Sequence, residues 1–180
     1  MRVRRNTAAL ALMLLVALGC ACAAQSDSSG LPSVEERLAG FADRMQLGLS
    51  IASVAVFSPT LRDAHGQAER LIDLLRSSER DPIPGLLSQA EAFPDWIRAR
   101  SFAPDALEPL LGAATDVQGF LRLAVEAAIS ADRARALADA TDDLLRVYAC
   151  LFAAWGQPVD GIVVPGLVTI LHAFGVLATG

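Results

Sequence analysis

The sequence predicts an all-α protein, a single helical bundle of four or five long helices with a broken, proline-delimited middle section. Three observations carry this. Of 180 residues, 33 are Ala and 27 are Leu, one in three. Both are strong helix formers, and Ala is depleted from strands. Apolar residues recur every three to four positions, the period of a helix with one buried face. Proline (9) and glycine (13) are too few for a collagen-like or disordered chain.

The first helix is expected over residues 34–57. Ser33-Val34-Glu35-Glu36 matches a capping box, in which the Ser33 hydroxyl and the Glu36 carboxylate satisfy free N–H groups at a helix start. Leu38, Phe41, Met45, Leu49, Ala52 and Val56 form its stripe. Residues 47–57 are nearly uncharged and resemble a strand in composition, but they continue the helical stripe. Pro59 breaks it. Ser58-Pro59 then offers a cap and a first-turn proline for a second helix over 60–77, with Leu61, His65, Ala68, Ile72 and Leu75 on one face.

Residues 78–85, with two prolines, read as a loop. Short helices are expected over 86–93 and 95–100, with Pro94 and Pro104 delimiting the irregular middle. A long helix follows to about residue 130, striped by Leu107, Leu110, Leu111, Ala114, Val117, Leu121, Ala124, Val125 and Ala128. Pro109 falls near its first turn. Asp132 can start the next helix, to Trp155, whose face is Leu137, Thr141, Leu144, Leu145, Tyr148, Leu151, Phe152 and Trp155. Gly156 and Pro158 end it. Residues 161–180 carry no Asp, Glu, Lys or Arg. A helix over 162–178 would be 17 residues, about 26 Å against a hydrocarbon layer of ~30 Å. Pro165, Gly166, His172 and Gly175 interrupt it, so a helix buried within the bundle is preferred over a membrane span. A removed GPI-type tail lacks the required polar spacer.

The N-terminus carries the most specific signal. Met1–Arg5 is a positive n-region, residues 8–18 are an uncharged apolar run, and small residues and cysteines follow at 19–24. This is the form of a secretory signal peptide. Val16-Ala17-Leu18-Gly19-Cys20 resembles the lipobox of bacterial lipoproteins, with Ala17 departing from the leucine usual there. The resemblance implies that residues 1–19 are removed and that Cys20 is lipidated. It also implies that the protein is anchored by an N-terminal lipid in the bacterial cell envelope, on the periplasmic or outer-membrane face. Residues 20–32 would be a flexible tether and 33–180 the bundle domain. Cleavage after Ala23 is the alternative, giving a signal peptide of 1–23 and a secreted soluble product.

Charge restricts the partners. The formal net charge is -5, and all 15 basic residues are Arg. Loss of Arg2, Arg4 and Arg5 with the signal leaves 12 Arg against 20 acids, or -8. Arg is dispersed among acids, so no basic stripe exists for nucleic acid. A Walker A motif is impossible without Lys.

Candidate chemistry is sparse. His65 and Glu69, four apart, are neighbours on one helical turn and are the candidate metal ligands. The Glu-x-x-His pair of ferritin-like bundles is absent, since Arg62 and Thr169 stand three before His65 and His172. Met45 and His172 match the residue types of Met/His haem ligation, yet both fall on or near apolar faces. No cofactor is expected. Cys22 and Cys150 can form a disulfide if Cys20 is lipidated. Gly48-Leu49-Ser50-Ile51-Ala52 nearly matches Gly-x-Ser-x-Gly but lies within a helical pattern, away from any strand-to-helix elbow. Phe93, Trp96, Ile97 and Phe102 are expected to form an exposed apolar patch. The leading expectation is a non-enzymatic, envelope-tethered interaction or structural module with an envelope protein or peptidoglycan-associated partner. A small-molecule, metal or haem binder and a hydrolase without a recognisable motif are the alternatives.

Overall fold

Ser33 starts the first helix as its sequence requires. Its Oγ accepts a hydrogen bond from the Glu36 N–H at 3.1 Å, and its own N–H donates to Glu36 Oε2 at 2.8 Å. Helix α1 runs Val34–Ala55. The computed structural model describes residues 32–76, 83–156 and 165–177. The described residues from Ser33 onward belong to one compact unit. They contain seven α-helices and no strand.

Helix α2 spans Leu61–Arg76. Thr60, not Ser58, caps it: Thr60 Oγ1 accepts from the Asp63 N–H at 3.1 Å and donates to Asp63 Oδ2 at 2.6 Å. The threonine succeeds because a carboxylate three residues on can return the bond. The buried stripe of α2 is Ala64, Ala68, Leu71, Leu74 and Leu75. Compared with the expected stripe, it is turned so that His65 and Ile72 are only half-buried.

The middle section contains α3 (Leu86–Ala90) and α4 (Phe93–Ala99). Pro94 does not separate them. It sits in the first turn of α4, where its missing N–H has no partner to lose. Helix α5 (Pro104–Arg133) is 30 residues, about 45 Å. Asp132 lies in its last turn and does not open the next helix. Three residues then lead into α6 (Leu137–Trp155). Gly156 ends α6 with φ 85°, the left-handed conformation a glycine adopts without a Cβ penalty.

The 17-residue final helix expected over 162–178 is shorter. Helix α7 covers Leu167–Ala173, with Pro165 and Gly166 before it. Leu167, Ile170, Leu171 and Phe174 are buried, whereas His172 is exposed. It is therefore covered on one side and not all round. Among the described residues no helix is long and apolar enough to cross a membrane.

The four long helices close a ring. The most extensive pairings are α5 with α6, α2 with α5, α1 with α6 and α1 with α2. Alanine is frequent among the buried residues of these two helices: Ala113, Ala114, Ala124, Ala127, Ala128 and Ala131 of α5 and Ala140 and Ala154 of α6 are buried. Larger residues fill the rest of the core, among them Leu38, Phe41, Met45, Leu71, Leu75, Leu121, Leu144 and Leu151, all fully buried. Phe41 of α1 meets Phe93 of α4 edge-on at 4.8 Å between ring centres.

Candidate functional site

Gly48 sets how α1 sits. A Cβ built there would lie 3.1 Å from Leu74 Cδ2 of α2 and 3.4 Å from Leu151 Cδ1 of α6. The glycine lets α1 seat deeply between its two ring neighbours. The opposite face of the same helix then points outward. Leu47 is 52% exposed, Val54 64%, and Phe57, just past the helix end, 84%. Ser50 is exposed between them, and its Oγ donates to Gln46 O at 2.9 Å, a bond within the helix. No charged residue occurs from Gln46 to Pro59. On α6, Leu145 is 51% exposed. The Tyr148 and Phe152 rings stack at 6.0 Å on the same side. This is the flank of α6 away from α5, because Asp143 faces α5 and Leu145 is turned by about 200° from it.

A second feature lies on the other flank of α6. Asp143 is the buried charged residue among those described. Ser130 Oγ of α5 donates to its Oδ2 at 2.5 Å, and Arg146 Nη1 to its Oδ1 at 3.2 Å. A buried carboxylate requires such donors. Around them Glu126, Ile129, Arg133, Ala134 and Asp139 complete an open cleft of about 460 Å³. His65 joins α2 to this corner, with Nε2 3.0 Å from Ala134 O. Both Asp143 oxygens are engaged, and the Ser130 hydroxyl gives its proton to a carboxylate. Among the described residues no imidazole lies within hydrogen-bond distance of either group. The pair thus holds α5 to α6.

A third cluster surrounds the start of α1. Arg100, at the end of α4, donates to Glu35 Oε1. Its guanidinium lies 4.9 Å from the Phe174 ring centre and 5.9 Å from that of Phe102. These two rings meet edge-on at 5.4 Å. A backbone N–H bond and the Arg100 side chain hold the Glu35 carboxyl below its ordinary value. One arginine therefore ties α1, α4 and the chain after α7 together.

The sequence-predicted candidates are dispersed. Half-buried His65 turns its Nε2 to a backbone carbonyl, while Glu69 is exposed on a shallow groove with Arg62, Asp63 and Arg70. Among the described residues no group of three or more His, Cys, Asp or Glu stands close enough to hold a metal ion. Met45 is enclosed in the core and His172 faces solvent, so they do not share an apolar interior. Cys150 is half-buried, and burial pushes its thiol pKa up. Its expected disulfide partner Cys22, and the lipidation residue Cys20, lie outside the described residues.

The expected exposed patch is corrected. Phe93 and Ile97 are fully buried, and Trp96 and Phe102 are half-buried against the core. Arg37 stands 6.0 Å from the Trp96 ring centre. The short helix α4 folds its apolar side onto α5, a tertiary decision that composition does not contain. The exposed apolar face belongs instead to α1. Its sequence signal was the charge-free run after Gln46, whose direction is set only by packing. No known protein family, curated protein or solved structure matches this chain.

Proposed function

We propose that the chain is a non-enzymatic, lipid-anchored interaction module of the bacterial cell envelope. Cys20 carries the lipid, residues 20–32 are the tether, and the four long helices with α3 and α4 form a mount for the outward face of α1. The carrying observation is that Leu47, Val54 and Phe57 are exposed on a charge-free stretch of a long helix. Exposed apolar side chains in a row mark binding surfaces. The stretch ends at Phe57, about 35 Å along the α1 axis from Ser33, where the tether joins. The exposed surface is thus offered away from the point of attachment, toward an envelope protein partner. The satisfied Ser130–Asp143–Arg146 set supports a structural rather than catalytic use of the buried charge.

Two measurements test this. An alkyne-tagged palmitate should label the chain in the producing bacterium but not the Cys20→Ser variant, which should leave the membrane fraction. A photo-reactive residue at Phe57 should capture a defined protein, and one at Asp73 on α2 should not. Persistent labelling of Cys20→Ser overturns the anchor. Equal or absent capture at the two positions overturns the interaction module.

A further inference from the structure

We infer that α7 is a strap that opens as a unit while the ring of four long helices stays folded, with Arg100 as its latch. The inference stands apart from the anchored interaction module proposed above.

The ring closes without the strap. Its pairings of α5 with α6, α2 with α5, α1 with α6 and α1 with α2 involve no residue of α7. Its buried residues, among them Leu38, Phe41, Leu71, Leu121 and Leu144, come from all four helices. Helix α7 lies against α1, α5 and α6 and covers its part of the core from outside.

The strap is also built as a separate piece. A helix of seven residues is too short to hold its shape alone, so tertiary contacts keep it in place. The backbone hydrogen bonds at its ends are internal. Thr169 N donates to Gly166 O at 3.1 Å, and Val176 N to Leu171 O at 2.9 Å. Gly175, with φ 72°, turns the chain to make the second of these. Among the described residues no such bond joins 165–177 to the ring. Lifting α7 therefore leaves the helical ladders of the ring intact, the condition for a local opening below the global one.

Burial of Leu167, Ile170, Leu171 and Phe174 holds the strap down, together with one cation. The Arg100 guanidinium lies 4.9 Å from the Phe174 ring centre while donating to Glu35. Phe102 meets Phe174 edge-on at 5.4 Å. Phe174 is thus clamped by α1 and by the chain between α4 and α5, neither of which belongs to the strap. The Arg100 and Glu35 side chains are 43% and 47% exposed, so the latch can be weakened without entering the core. Closed, the strap keeps the apolar residues beneath it from solvent and from apolar ligands; open, it offers them.

Hydrogen exchange of the full-length chain, read by mass spectrometry, tests this. In the parent, peptides over 167–174 should exchange well before those over 110–128 of α5, through an opening that low urea hardly changes. Arg100→Ala should speed exchange at 167–174 about fivefold and leave 110–128 unchanged. Glu35→Gln, which keeps the side-chain volume, should speed the same peptides by a smaller factor. Arg98→Ala, which removes a surface pair with Asp95, should speed neither region. Exchange of 167–174 only together with 110–128 overturns the strap. An Arg100→Ala effect that is absent, equal in both regions or matched by Arg98→Ala overturns the latch.

Discussion

Substitution of Gly166 by Ala probes a close approach of two backbone segments. Gly166 precedes α7 with φ -161°, an extended conformation that alanine adopts equally well. Any effect is therefore steric. A Cβ there would stand 2.6 Å from Gly156 Cα, 2.7 Å from Gly156 N and 2.8 Å from Ala154 O. All three are backbone atoms, so no rotamer change relieves the overlap. Reaching ordinary contact requires a shift of about 0.8 Å between the two segments. Overpacking of this kind costs about 1–3 kcal/mol. The strain falls on α7, whose Leu167, Ile170 and Leu171 are held against α1, α5 and α6. The neighbouring Trp155, 9% exposed, provides the reporter. Urea denaturation followed by Trp fluorescence and far-UV ellipticity should show a loss of about 1–3 kcal/mol. The Trp155 emission should shift to the red before the main transition. Gly112→Ala is the control: nothing lies within 4 Å of its added Cβ, so it should stabilise α5 by about 0.5–1 kcal/mol through lost backbone freedom in the unfolded chain. If Gly166→Ala unfolds within about 0.5 kcal/mol of the parent, as an ordinary surface change does, the close approach of Gly166 to Gly156 is refuted.

Other substitutions examine separate contacts. Ser130→Ala removes the hydroxyl that donates to buried Asp143 and should cost about 1.5–3 kcal/mol in urea denaturation at neutral pH. Ser33→Ala dissolves the capping box of α1 and should cost about 1 kcal/mol, read as a lower melting temperature. The Glu35 carboxyl is held below its ordinary value, so its contact with Arg100 stabilises the fold above the carboxylate range and is lost as pH falls through the lowered value. The melting temperatures of the parent and Glu35→Gln should therefore differ at neutral pH and converge in acid. A constant difference across that range would show that the charge is not responsible.

Local signals were legible where the partners were local. Ser33 and Glu36 lie three residues apart and form the box their spacing predicts. Gly156 ends α6, and the stripes of α1 and α5 lie largely where periodicity put them. The stripe of α6 is turned: Ala140, Asp143, Val147 and Ala154 are buried beside Leu144, Leu151 and Trp155, while Leu145 is exposed and Leu137, Thr141, Tyr148 and Phe152 are half-buried. Thr60 shows the limit of the local rule. Ser58 and Thr60 are both acceptable caps, and the choice fell to the one with Asp63 in reach. Pro94 likewise serves as a break or a first turn, and local sequence does not choose between them.

The amino-acid sequence by itself determined the class and the starting points of the elements: alanine and leucine in a 3.6-residue rhythm, a capping box, a terminal glycine, and a charge-free half of α1. Each depends on atoms within one or two helical turns. Tertiary structure decided which apolar faces were used. Phe93 and Ile97 became core because α4 found α5, while Leu47, Val54 and Phe57 stayed outside because Gly48 turned the other side of α1 toward Leu74 and Leu151. His65 met Ala134 across 69 residues, and Gly166 met Gly156 where two backbones nearly touch. Burial depends on how many neighbours a helix acquires, and that number is a property of the assembled bundle. The surface left over after the core is chosen is therefore visible only in the fold, although its lack of charge is written in the chain.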